Sequence, residues 1–187
     1  MGKVYLSVLF TRLRRESPID RVEQIAHPKD LFVMLNPQGM EIIKTKNLSE
    51  SQYQQIHDLW NEEFPIQLKD RFGLLLNGVR NYHHYIIEEN DRVLAWAVEF
   101  EKDNETRFSI LVRKEYQGKG WGSMLLDRLK QDLGEFFGWV IDHGDDIKQN
   151  GEVYTSPLSF YTHRGFEVLR DQRIDSEMIR AVKIRSR

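Results

Sequence analysis

Arg107-Phe108-Ser109-Ile110-Leu111-Val112, Gln117-Gly118-Lys119-Gly120-Trp121-Gly122 and Ser123-Met124-Leu125-Leu126-Asp127-Arg128-Leu129-Lys130, in that order, decide the fold. The first segment is apolar and partly β-branched, which predicts a strand. The last predicts a helix, whose apolar face runs through Trp121, Met124, Leu125, Leu129, Leu133 and Phe136. A glycine-rich turn between strand and helix leaves unpaired backbone N–H groups at the helix start, and the helix dipole adds positive potential there. Such a place binds phosphate or pyrophosphate. Glycine permits positive φ and lets a ligand reach the backbone without meeting a Cβ.

Working outward, Tyr82 to Glu88 and Val93 to Phe100 read as strands, joined by the tight turn Glu89-Asn90-Asp91-Arg92. Lys102-Asp103-Asn104-Glu105 turns the chain into the strand before the glycines, completing a three-stranded antiparallel meander. Beyond the helix, Gly138 and the short strand Trp139-Val140-Ile141-Asp142 imply a right-handed crossover and local parallel pairing. Asp145 to Thr155 is a polar loop. Ser156 and Pro157 open a helix that Gly165 ends, and Phe166 to Leu169 and Met178 to Ile184 read as the last two strands.

Upstream, Ser49-Glu50-Ser51-Gln52 is a capping box. It starts a helix with Tyr53, Ile56, Leu59, Trp60 and Phe64 on one face. After Pro65, the spacing of Ile66, Leu68, Phe72, Leu75 and Leu76 predicts a second helix, stopped by Asn77-Gly78. Glu41 to Thr45 reads as a short strand opening a domain over residues 40–187. In residues 1–39, Val4 to Phe10 has a strand pattern and Asp20 to Ala26 a helical turn. Met40 as the native initiator, and an extension packed on the domain, are both open readings of that segment.

With 187 residues, one domain with a sizeable core is expected. The composition, 40% apolar and 30% charged, is that of a soluble globular protein. A formal net charge of −2 gives no electrostatic case for nucleic acid or an anionic membrane as partner. The absence of cysteine excludes disulfides, thiol nucleophiles and cysteine-ligated zinc, and suits a cytoplasmic location. No apolar run is long enough to span a bilayer, and Val4 to Phe10 lacks the cleavage site of a signal peptide.

Gly118, Gly120 and Gly122 do not fit the G-x-G-x-x-G dinucleotide fingerprint, and Lys119 is followed by Gly120 where a nucleotide P-loop needs Ser or Thr. Val112 to Gly122 instead resembles the acyl-CoA pyrophosphate loop of the GNAT superfamily of N-acyltransferases, with Gln117, Gly120 and Gly122 filling (Arg/Gln)-x-x-Gly-x-(Gly/Ala). Phe160-Tyr161-Thr162-His163-Arg164-Gly165-Phe166 is similar to that family's F-Y-x-x-x-G-F segment. The resemblance spans residues 40–183. It implies an α/β (α+β) fold: a mixed, mostly antiparallel central sheet flanked by helices, with an acyl-CoA cleft between two splayed strands.

The resemblance further implies that Ile110, Leu111 and Val112 hold pantetheine, and that Gln117, Gly118, Lys119, Gly120, Trp121, Gly122 and Ser123 hold pyrophosphate. Tyr161 matches the family's tyrosine acid, which protonates the departing thiolate of coenzyme A. The function it implies is transfer of an acetyl group from acetyl-CoA to a primary amine, small molecule or peptide, by direct attack, in a monomer or homodimer. Backbone donors near Val112 would polarise the thioester carbonyl.

Asp142, His143 and Glu99 are the candidate bases, with Asp142 foremost. No metal is expected, because neither His83-His84 nor Asp142 to Asp146 has ligand spacing. Tyr154 stands where many members have an asparagine that contacts coenzyme A, and Ser156 or the helix start is the expected substitute. The acceptor pocket is expected from Ser49 to Gly78 and Asp145 to Thr155, where Glu62, Glu63, Asp145 and Asp146 are acidic. A non-catalytic acyl-CoA sensor and a nucleotide-binding enzyme remain the alternatives.

Overall fold

Two hairpin turns build the middle of the sheet. Asn90 and Asp91 have φ of 49° and 61°, and Asp103 and Asn104 have φ of 52° and 61°. Paired positive φ values at Asn and Asp give the turn twist that matches antiparallel strands. In this computed structural model, which describes residues 40–187, those turns join β2 (Tyr82–Glu89), β3 (Arg92–Lys102) and β4 (Glu105–Val112). The expectations for Val4 to Phe10, Asp20 to Ala26 and an extension over residues 1–39 lie outside the described residues.

The remaining strands are β1 (Ile43–Thr45), β5 (Phe137–Val140), β6 (Glu167–Asp175) and β7 (Arg180–Arg185). The helices are α1 (Glu50–Glu63), α2 (Trp121–Asp132) and α3 (Leu158–His163). The seven strands form one sheet in the order β1-β2-β3-β4-β5-β7-β6. β4 and β5 pair parallel, and every other neighbouring pair is antiparallel. This is the mixed, mostly antiparallel α/β sheet the sequence implies.

Strand alternation sends β3 to both sides at once. Ala95 and Ala97 meet Leu125, Leu126 and Leu129 of α2, while Trp96 and Val98 meet Ile56, Leu59 and Trp60 of α1. The three α2 leucines are fully buried, each contributing about 1.5–3 kcal/mol of transfer free energy. α1 starts where the capping box predicts: Gln52 N donates to Ser49 Oγ at 3.1 Å, and Ser49 N to Gln52 Oε1 at 3.0 Å.

The second helix expected over Ile66 to Leu76 does not form. Two 3₁₀ turns, Ile66–Leu68 and Phe72–Leu74, take its place. Asp70 between them has φ 59°, and its backbone N–H donates to Asn61 Oδ1 at 2.8 Å. The Leu68 carbonyl, which a continuing helix would use, accepts from Trp60 Nε1 at 2.8 Å. The apolar spacing buries Leu68 and Phe72 all the same.

Candidate active site

β4 and β5 have one register pair, Arg107 with Phe137. Beyond it they diverge, and the β5-facing backbone of β4 has no strand partner among the described residues. Gly138 sits at the vertex. A Cβ there would lie 2.7 Å from Phe108 Cε1, so only glycine admits the ring. Phe108 in turn packs against Phe136, Tyr161 and Phe166, with ring centroids 5.1, 5.7 and 5.6 Å away. This aromatic wedge stands where the strands part, and a cleft of about 840 Å³ opens beyond it.

The glycine loop closes one end of that cleft. Gly118 and Gly120 have φ of 72° and 93°, which glycine adopts without Cβ strain. Among the described residues, the backbone N–H groups of Gly118 through Ser123 take no hydrogen-bond partner; the first N–H that is used is Met124's, to the Gly120 carbonyl at 2.9 Å. A row of free donors at the positive end of a 12-residue helix is an anion cradle. Gly122 belongs to its wall: a Cβ there would come within 3.6 Å of Phe160 and Val112. The Gln117 side chain pins the loop by donating to the Val112 carbonyl at 2.9 Å. Arg164 donates to Ser123 Oγ and faces the same cleft.

Ile110, Leu111, Val112, Gln117, Gly118, Gly120, Gly122 and Ser123 all line the cleft. Lys119 and Trp121 do not. The Lys119 ammonium lies 5.0 Å from the Tyr116 ring centroid, and Trp121 is buried under the loop.

Tyr161 lines the cleft with 7% of its surface exposed, and burial pushes its phenol well above the ordinary value. Its hydroxyl stays protonated at neutral pH, takes no partner among the described residues, and so has a proton to donate. Tyr154 lies on the same wall. Burial first, then the charges of Glu63 and Asp146, raise its phenol as well. Ser156 is spent inside the protein: its hydroxyl donates to the Ile141 carbonyl at 2.6 Å and accepts from Leu158 N at 3.2 Å.

The three candidate bases stand apart from the cleft wall. Both Asp142 oxygens accept from Arg173, each at 2.9 Å, and these bonds hold its carboxyl below the usual carboxylate range. His143 contacts Arg180 at 3.3 Å, and Glu99 pairs with His83 Nδ1 at 2.6 Å. His84 is buried and accepts from Trp96 Nε1 at 3.1 Å; desolvation, with its neighbour His83, pushes it down to about 4. The cleft-lining carboxylates are instead Glu63 and Glu152.

Residues 80–168 match the family model of the acetyltransferase (GNAT) domain. Over those residues the sequence is similar to a GNAT acetyltransferase domain. Solved structures similar to it include an acyl-CoA N-acyltransferase from Pseudomonas aeruginosa, at 14% identity and TM-score 0.58 over 79% of this chain and 99% of that one. ElaA from Escherichia coli is similar at 17% identity and TM-score 0.56, over 79% and 99%. The PaiA N-acetyltransferase from Thermoplasma acidophilum, solved in complex with coenzyme A, is similar at 14% identity and TM-score 0.53, over 78% and 98%. At these identities the likeness shows the GNAT fold. No curated protein matches the chain. No described helix is long and apolar enough to cross a membrane.

Proposed function

We propose that this GNAT domain is an acetyl-CoA-dependent N-acetyltransferase acting on a primary amine. The observation that carries the reading is the row of free N–H groups from Gly118 to Ser123 at the end of the cleft between β4 and β5. The residues fit coenzyme A: free donors for its pyrophosphate, an unpaired strand face at Ile110 to Val112 for an amide-bearing arm, and a cavity of ligand size. Bound there, acetyl-CoA supplies an activated acetyl group. Ile110 to Val112 orient it, the Phe108 wedge keeps water from the vertex, and backbone donors near Val112 draw charge toward the carbonyl oxygen.

Tyr161 holds its proton in the resting site and donates to the departing sulfur. The amine attacks directly, in a chain without cysteine. Asp142 is held by Arg173 of β6 in this reading, and the attacking nitrogen releases its proton to solvent water at the mouth of the cleft.

Thermal-shift comparison of acetyl-CoA, NAD and ATP, followed by thiol release across an amine panel, tests the proposal. Stabilisation by acetyl-CoA alone, with amine-dependent thiol release, is the expected result. Stabilisation by NAD or ATP without coenzyme A overturns it. Binding without thiol release favours an acyl-CoA sensor.

A further inference from the structure

Glu63 occupies a place no other carboxylate among the described residues shares. It ends α1, is buried with 9% exposure, and lines the cleft. Its Oε2 accepts twice, from Gln117 Nε2 at 2.9 Å and from Lys148 Nζ at 2.7 Å. Gln117 belongs to the glycine loop and also holds the Val112 carbonyl at the end of β4. Lys148 belongs to the hairpin that Ile147 and Val153 bridge, and Pro65, just after α1, bridges to Lys148. One carboxylate oxygen therefore joins the cofactor half of the cleft to the acceptor half. The other, Oε1, accepts no hydrogen bond among the described residues.

The second cleft-lining carboxylate, Glu152, is different. It lies at the rim, about half exposed, with both oxygens contacting Lys114. Beside Glu63 stands Tyr154, near enough to feel its charge, and Phe64 and Trp139 complete an aromatic wall of the same cleft. Aromatic faces beside a largely buried carboxylate with one oxygen left open are the chemistry that recognises a small organic ammonium group.

We propose that Glu63 Oε1 is the docking point of the acceptor, a primary amine that arrives as its ammonium ion. Deepening the N-acetyltransferase reading and resting on it, this assigns the acceptor's polar anchor to Glu63 and its specificity to charge. Oε2 fixes the carboxylate against Gln117, so the amine is placed relative to the strand that ends at Val112. Lys148 limits the strength of the site, because it shares the same carboxylate.

Binding of 2-phenylethylamine and of its neutral counterpart 2-phenylethanol to the full chain saturated with coenzyme A tests this by NMR titration. The wild-type protein is expected to prefer the ammonium about tenfold, the scale of one hydrogen bond to a charged group. Glu63→Gln keeps an oxygen for Gln117 and Lys148 and is expected to lose that preference, with coenzyme A affinity changed by less than about threefold. Lys148→Met, which removes the competing cation, is expected to strengthen it.

A merely structural role for Glu63 would weaken both probes alike. No ammonium preference in the wild type, a preference retained in Glu63→Gln, or a weaker one in Lys148→Met each overturns the proposal. Failure of the wild-type chain to bind coenzyme A counts against the proposed function itself, whereas coenzyme A binding without ammonium preference counts against Glu63 alone.

Discussion

Replacing Gly138 with alanine should damage the protein far more than one methyl group suggests. The added Cβ would meet Phe108 at Cε1, Cζ and Cδ1, at 2.7, 3.1 and 3.3 Å. The ring cannot swing aside freely, because Phe136, Tyr161 and Phe166 pack around it. β5 cannot back away freely either, since Gly138 also pairs with Ile184 of β7. Overpacking of this kind costs about 1–3 kcal/mol. For a domain of this size that is a fall in Tm of roughly 2–12 °C.

Gly134 is the control: a Cβ there meets nothing within 4 Å, and alanine should be neutral or slightly stabilising. Urea unfolding of both variants, with the double variant Gly138→Ala/Phe108→Leu, measures the effect. The double variant should be less destabilised than the sum of its parts by about 0.5–3 kcal/mol, because the smaller side chain relieves the overlap. A Gly138→Ala protein as stable as Gly134→Ala, or strict additivity in the double variant, would refute the wedge.

Tyr161→Phe should leave coenzyme A affinity within a few fold and lower kcat by about 10²-fold or more in the thiol-release assay; an unchanged kcat removes Tyr161 as proton donor. Gly120→Ala, at φ 93° with open space around the added Cβ, should weaken coenzyme A binding through backbone strain of about 1–2 kcal/mol, read by calorimetry against wild type. His84 should impose a pH dependence on stability. Its folded value of about 4 lies below its ordinary 6.5, so its contribution is complete above about pH 6.5 and is lost as the pH falls through about 4. Between pH 7 and 5 that loss is about 2 kcal/mol, and His84→Gln should remove it from the urea-unfolding profile.

Much of the sheet's middle was legible because its signals are local. Asn90-Asp91 and Asp103-Asn104 specify their turns, Ser49 and Gln52 cap their helix, and the glycines from Gly118 to Gly122 announce the cradle. The misread helix over Ile66 to Leu76 had correct spacing. It breaks at Asp70, whose φ of 59° lies outside the helical region and whose backbone N–H goes to Asn61 of α1, while Trp60 of α1 adds a bond to the Leu68 carbonyl.

The cleft walls depend on such distant partners throughout. Asp142 and His143 follow just after β5, but Arg173 and Arg180 reach them from β6 and β7, and the β6 irregularity between Leu169 and Arg173 leaves no trace in local pattern. Glu63 stood among several acidic residues on the acceptor segments. Only the meeting of residues 54 and 85 positions apart, Gln117 and Lys148, distinguishes it from Glu62, whose exposed carboxylate pairs with Arg113.

The most direct test of the central claim is a coenzyme A titration of isotope-labelled protein, followed at each backbone amide. Saturable shifts concentrated at Gly118 to Ser123 and at Ile110 to Val112, with NAD and ATP producing none, are the predicted result. Shifts confined to other elements, or the same amides responding equally to NAD or ATP, would contradict the assignment of this cleft to an acyl-CoA.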